Sequence, residues 1–113
     1  MNSITIGMDT SDKKQQICVL NSDAQIIESC QIDNTIEALT HYFHRYTGAT
    51  VALEAGTHSP WIGRLLSALK LNVLIGNPRK LRVIWDSDDK DDVRDAEMLA
   101  RIARFDSNLL YPI

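Results

Sequence analysis

Ile4-Thr5-Ile6-Gly7-Met8-Asp9 is the stretch on which the reading of this chain turns. It alternates apolar and small residues and then breaks into the polar run Thr10-Ser11-Asp12-Lys13-Lys14. That is the pattern of a buried central strand ending on a carboxylate. Gly7, inside the strand, leaves room for another backbone or a ligand to come close. Asp9 is therefore expected at the rim of the sheet, inside the fold yet open to whatever docks there. A carboxylate in that position needs a partner, and the partner expected is a metal ion.

Downstream, Gln16 to Leu20 and Gln25 to Ile32 are two β-rich runs around Asn21-Ser22-Asp23, so a meander of three antiparallel strands is expected. A turn centred on Ser22-Asp23 would set Cys18 opposite residue 27. The thiols of Cys18 and Cys30 would then lie three residues out of register, roughly 10 Å along the strand and too far for a disulfide. Free thiols packed as small apolar side chains are the expected outcome. Asn34 is expected to cap a helix with Glu37 at its third position, an apolar face of Ile36, Leu39, Tyr42, Phe43 and Tyr46, and Gly48 at its close.

Thr50 to Leu53 reads as a second buried strand that ends on a carboxylate, Glu54. After the turn Ala55-Gly56-Thr57-His58, Ser59 is expected to cap a helix with Pro60 at its first position. Its core face carries Trp61, Ile62, Leu65, Leu66 and Leu69. Asn72 to Ile75 is a third buried strand, and Asn77-Pro78 begins a further helix containing Arg79, Lys80 and Arg82. A polar loop, Asp86 to Asp91, leads to a last helix from about Asp92 to Arg104 with Ala96, Leu99, Ala100 and Ala103 as apolar members. Helical spacing puts Asp92 and Asp95 on that same stripe, so both carboxylates are expected to face the sheet rather than solvent. The tail Leu109-Leu110-Tyr111-Pro112-Ile113 carries no end signal and reads as cut off.

These elements describe one α/β domain over residues 1–113, with three antiparallel strands, then two parallel ones, and helices on the faces. The ribonuclease H-like fold has this order and brings together carboxylates from the first strand, the fourth strand and a late helix. The net charge of −3 does not suit a stand-alone nucleic-acid binder. Nine of the twelve Lys and Arg residues nevertheless lie from Arg64 onward, interleaved with the acidic run 86–95. No apolar run approaches the ~20 residues of a membrane span and no signal-peptide pattern opens the chain, so a cytoplasmic location is expected.

Ile6-Gly7-Met8-Asp9, Leu53-Glu54-Ala55-Gly56, Gly76-Asn77-Pro78 and Lys90-Asp91-Asp92-Val93-Arg94-Asp95-Ala96 occur in an order and at distances that together are specific. They resemble the N-terminal, RuvC-like domain of the DEDD transposases of bacterial insertion sequences, the family that includes the pilin-gene invertase and bridge-RNA-guided recombinases. The likeness covers nearly the whole chain. It implies an acidic tetrad of Asp9, Glu54, Asp92 and Asp95 that is both catalytic and metal-binding, with magnesium or manganese as cofactor. It implies insertion-sequence ends and target DNA as partners, a guide RNA in some members, and a homo-oligomeric full-length protein. A C-terminal domain that supplies a serine nucleophile is also implied, and none of the eight serines here matches its motif. Asp91 departs from the family, which usually has threonine or asparagine after the lysine. The Asp-x-x-Asp-Ala spacing assigns the pair to Asp92 and Asp95.

The chemistry agrees with the spacing. Hard divalent cations take oxygen ligands, and two of them about 4 Å apart can activate a nucleophile and stabilise a leaving oxygen in phosphodiester cleavage. Taken singly, Asp92 is as well explained by the positive end of its helix, worth ~0.3–1 kcal/mol, and Asp9 as a turn residue. Glu54, directly after a buried Val-Ala-Leu run, is harder to explain that way. Arg79, Lys80, Arg82, Lys90 and Arg94 are candidates for phosphate contact, each equally at home on a solvated face. His58 reads as a satisfied or exposed histidine, and His41 and His44 as polar-face residues. Trp61 belongs to the core or an interface, and Trp85 could stack on nucleic acid. Two other classes compete with an enzyme domain. One is a non-catalytic assembly or RNA-binding module that keeps the fold. The other is an actin-like sugar kinase or ATPase fragment, which would want glycines around Asp9 where Thr10-Ser11-Asp12 has none.

Overall fold

The computed structural model describes residues 3–77 and 91–110. Alternation in the first third of the chain produces β1 (Thr5–Thr10), β2 (Lys14–Leu20) and β3 (Ile26–Asp33). Helix α1 (Ile36–Phe43) follows, then a 3₁₀ turn (His44–Tyr46), β4 (Thr50–Glu54), α2 (Ser59–Ala68) and β5 (Asn72–Gly76). The long helix α3 (Asp92–Phe105) and a 3₁₀ turn (Ser107–Leu110) complete the described residues. The strands form one sheet in the order β3-β2-β1-β4-β5. β1 is antiparallel to β2, and β2 to β3, whereas β4 runs parallel to β1, and β5 to β4. This is the mixed sheet of a ribonuclease H-like α/β fold, as expected. The helix expected from Asn77-Pro78 and most of the acidic loop lie outside the described residues.

The two sides of the sheet are packed differently, and period-two alternation decides which residue serves which side. Ile6 and Met8 of β1, Ile17 and Val19 of β2, and Val51 and Leu53 of β4 enter one core with Leu39, Phe43, Ile62 and Leu66 from α1 and α2. On the opposite side, small residues lie where helix α3 crosses the strands. Cys18 and Leu20 pack with Ala96 and Ala100 of α3, and Ala52 packs with Leu99, Ile102 and Leu110. Gly7 lies on this second side. A Cβ there would come within 1.9 Å of the Ala96 carbonyl oxygen and 2.6 Å of the Ala100 nitrogen. The room that glycine leaves in β1 is thus filled by the backbone of α3.

Several local expectations shift by one position. The α1 cap is Thr35, whose hydroxyl accepts from the Ala38 N–H at 3.1 Å. Asn34 instead ties the β1–β2 turn, since its amide donates to the carbonyls of Ser11 and Asp12 and accepts from Gln15. Ile36, assigned to the apolar face, is 60% exposed, whereas Leu39, Tyr42 and Phe43 are buried. Ser59 does not cap α2. It is the first helical residue, and its hydroxyl both accepts from the Gly56 N–H and donates to the Gly56 carbonyl, at 3.0 Å each, closing the turn before the helix.

The cysteine register also differs. Ala24 adopts a left-handed φ of 61°, adding a residue to the turn between β2 and β3, and a bulge at Val19/Leu20 adds another offset. Cys18 therefore faces Ser29, and Cys30 faces Ile17. The thiols are one residue out of register and so lie on opposite sides of the sheet. Both are free, as expected, for this different reason.

Gly7→Ala forces the added methyl group into the α3 backbone. Overpacking of this kind costs about 1–3 kcal/mol, so the variant is expected to melt several degrees below wild type. Alanine at Gly56, where no atom lies within 4 Å of an added Cβ, should leave stability within about 0.5 kcal/mol. Equal melting temperatures for Gly7→Ala and wild type would show that α3 does not rest on β1 as described.

Candidate active site at the rim of the sheet

Parallel pairing of β1 with β4 brings the first two carboxylates together. The register pairs Met8 with Leu53, so Asp9 and Glu54, one step further along each strand, emerge side by side on the α3 side. Helix α3 crosses β1 with Ala96 and Ala100 over Gly7. Its first turn, one turn before Ala96, consequently overhangs Asp9. Asp91 caps this helix, its carboxylate accepting from the Arg94 N–H at 2.7 Å, and Asp92 and Asp95 follow in the first turn. Asp91 thus holds the helix end and releases Asp92 from that task.

The electrostatics of Asp9 report the convergence. Its pKa is raised from 3.8 to about 7, first by burial, then by a hydrogen bond with Asp92, then by the charges of Asp92, Asp95 and Glu54. Every other member of the tetrad therefore acts on Asp9. One expectation needs correction: Asp95 is half-buried, but Asp92 is exposed. The reason is that the N-terminal turn of α3 extends past the strand ends, so residue 92 reaches Asp9 from the solvent side of the rim.

An open, polar cleft of about 190 Å³ lies in front of Asp9 and Glu54 and is lined also by Ser11, Asp12, Gly56 and His58. His58 Nε2 lies 3.1 Å from Asp12 Oδ1, and its Nδ1 accepts from the Trp61 indole N–H at 3.0 Å. The histidine is satisfied, as expected, yet it belongs to the wall of the cleft. No sequence signal marks the contact between Asp12 and His58, which lie 46 residues apart. Arg94 is exposed on α3, whereas Arg79, Lys80, Arg82, Trp85 and Lys90 lie outside the described residues.

The donor set suits a hard divalent cation, being four carboxylates with all-oxygen chemistry. Among the described residues, no three His, Cys, Asp or Glu side chains are already gathered at metal-holding spacing. Asp9 and Asp92 instead meet as a hydrogen-bonded pair, the usual arrangement by which close carboxylates reduce their repulsion.

A mixed sheet with a pair of carboxylates at its rim and a second pair on an overlying helix defines the ribonuclease H-like class of nucleic-acid-processing folds. The model of the DEDD transposases of the IS110 type, described as a transposase, matches residues 6–113, and the chain belongs to that family. The family is generally dependent on divalent metal and acts on DNA. No curated protein matches the chain. Among the described residues no helix is long and apolar enough to cross a membrane.

Asp9 gives the metal-free protein a specific pH signature. Between pH 3.8 and about 7 the folded chain holds a proton that the unfolded chain has released. The stability contributed by this group is therefore greatest at low pH and is lost as pH rises through about 7. Asp9→Asn should remove that loss, so that in EDTA the variant gains on wild type between about pH 4 and about pH 7, with little further gain above that range. Urea midpoints that move in parallel for the two proteins would refute the coupling.

Proposed function

We propose that this domain supplies the metal-binding carboxylates for DNA strand cleavage and transfer in the transposition or site-specific recombination of an insertion sequence. The observation that carries the reading is the convergence of Glu54, Asp92 and Asp95 on Asp9, from two strands and a helix that are far apart in the chain. A simple capping role would need one carboxylate, which Asp91 already provides. Magnesium or manganese would be held by Asp9, Glu54, Asp92 and Asp95 and would supply Lewis-acid activation of the attacking and leaving oxygens. The strand ends fix Asp9 and Glu54, α3 sets Asp92 and Asp95 over them, and the open cleft admits a backbone. Arg94 is the one proposed phosphate contact among the described residues, with Arg79, Lys80, Arg82 and Lys90 completing the set. The serine nucleophile is proposed to come from a C-terminal domain, in a homo-oligomer acting on insertion-sequence ends and target DNA, with a guide RNA where one is used.

Manganese should raise the melting temperature of the wild-type chain by mass action and leave an Asp9→Asn, Asp95→Asn double variant unmoved. Equal shifts in the two would refute the site. In the full-length protein with its cognate DNA ends, each Asn or Gln replacement in the tetrad is expected to reduce cleavage by orders of magnitude. Asp91→Asn, which preserves the cap, should cleave nearly as wild type. Cleavage retained by all tetrad variants would make the domain a scaffold.

A further inference from the structure

We propose that His58 is a substrate-binding residue of this cleft, its Nε2–H donating to a non-bridging phosphate oxygen of the DNA strand, with Trp61 as the positioning residue that fixes the proton on that nitrogen. The inference rests on the transposase reading above and assigns a contact which that reading does not contain.

The indole N–H can only donate. Because it donates to His58 Nδ1 at 3.0 Å, Nδ1 is the acceptor and the imidazole proton sits on Nε2. The rings meet edge to face, with centroids 6.0 Å apart and planes at 88°, so Trp61 fixes the orientation of the imidazole as well as its tautomer. The turn beneath is held by the reciprocal Ser59–Gly56 hydrogen bonds. His58 is thus a pre-oriented single donor whose free edge lines the same cleft as Asp9 and Glu54.

The group now accepting that proton is Asp12 Oδ1, at 3.1 Å, on a side chain that is 91% exposed. An exposed pair of this kind contributes little to stability, so Asp12 can swing into solvent at small cost. What it offers His58 is an anionic oxygen, and a phosphate oxygen offers the same acceptor chemistry. Asp12 is therefore both a stand-in for the ligand and its competitor. A purely structural role, with the pair joining the β1–β2 turn to the start of α2, makes different demands: Asp12 would be needed, and DNA would not touch the ring.

The test follows the His58 ring nitrogens by NMR in the isotopically labelled chain. Without DNA, wild type should show the Nε2–H tautomer, and Trp61→Phe, which keeps a ring but removes the donor, should show a tautomer mixture. A short single-stranded oligonucleotide, added with magnesium at low salt, should shift the His58 Nε2 resonance. The same strand with uncharged methylphosphonate linkages should not. Affinity should fall about tenfold in His58→Leu, as for loss of a charge-assisted hydrogen bond. It should be largely retained in His58→Gln, which keeps a donor, and should rise in Asp12→Asn, which removes the competing charge. An Nδ1–H tautomer in wild type overturns the proposal. So does DNA binding that leaves His58 unperturbed, or equal affinity in His58→Leu, and in those cases the transposase reading stands if manganese still protects the fold through Asp9 and Asp95. If wild type binds no DNA and manganese gives no protection, both readings fall.

Discussion

The close approach of α3 to Gly7 is the constraint on which the site depends. Only a residue without a side chain lets the Ala96 carbonyl sit where a Cβ would otherwise be. Ala52, Ala96 and Ala100 extend the same requirement across the contact. A helix resting on larger side chains would ride higher. Here the backbone contact lowers α3 onto β1, and its first turn comes within hydrogen-bond reach of Asp9. The two sides of the sheet thereby divide their work. The side covered by α1 and α2 is filled with Ile, Leu, Val and Phe and holds the fold together. The side under α3 places Gly7, Ala52, Ala96 and Ala100 at the contact, so that the first turn of the helix stands over the end of β1.

Capping at the start of α3 has a comparable role. The first N–H groups of a helix need acceptors, and an acidic residue there is ordinarily assigned to that need. Asp91 meets it. The carboxylate of Asp92, one residue on, is then turned toward Asp9 instead of back onto its own helix. The departure of residue 91 from the usual family residue is thus conservative in physical terms, since threonine, asparagine and aspartate all cap helices well.

The strands and the carboxylate at the end of each central one were legible in the sequence from period-two burial, and the element order pointed to the ribonuclease H-like sheet. The alternation of Ile6, Met8, Val51 and Leu53 with Gly7 and Ala52 already separates the two sides. The spacing of Asp92, Asp95 and Ala96 likewise marks a helix face. What the sequence did not disclose depends on single residues of offset or on contacts between distant turns. Thr35 and Asn34 are both competent caps, and only the bonds from Asn34 to the Ser11 and Asp12 carbonyls decide between them. The register of Cys18 depends on Ala24 taking a left-handed conformation, which a β-turn estimate with no added residue does not anticipate. The exposure of Asp92 depends on how far α3 overhangs the strands, a tertiary quantity. The Asp12–His58–Trp61 chain joins two turns whose proximity exists only after β1 and β4 have paired.

Four carboxylates at one rim work against stability, and the arrangement is tolerable because each charge is handled differently. Asp9, half-buried, carries a proton up to about pH 7 and shares it with Asp92. Asp92 keeps its access to water, so its own charge is solvated rather than buried. Asp95 lies in the first turn of α3, where the helix dipole favours negative charge by ~0.3–1 kcal/mol. Glu54 emerges where β4 ends, at the mouth of the open cleft. The repulsion that Asp92, Asp95 and Glu54 exert on Asp9 is relieved by a proton and would be relieved by a cation. Under the proposed function, that repulsion is what makes the site selective for a small, hard, doubly charged ion. A larger reduction of the repulsion, for example by lysine at one of these positions, would stabilise the apo domain and remove its affinity for metal in the same step.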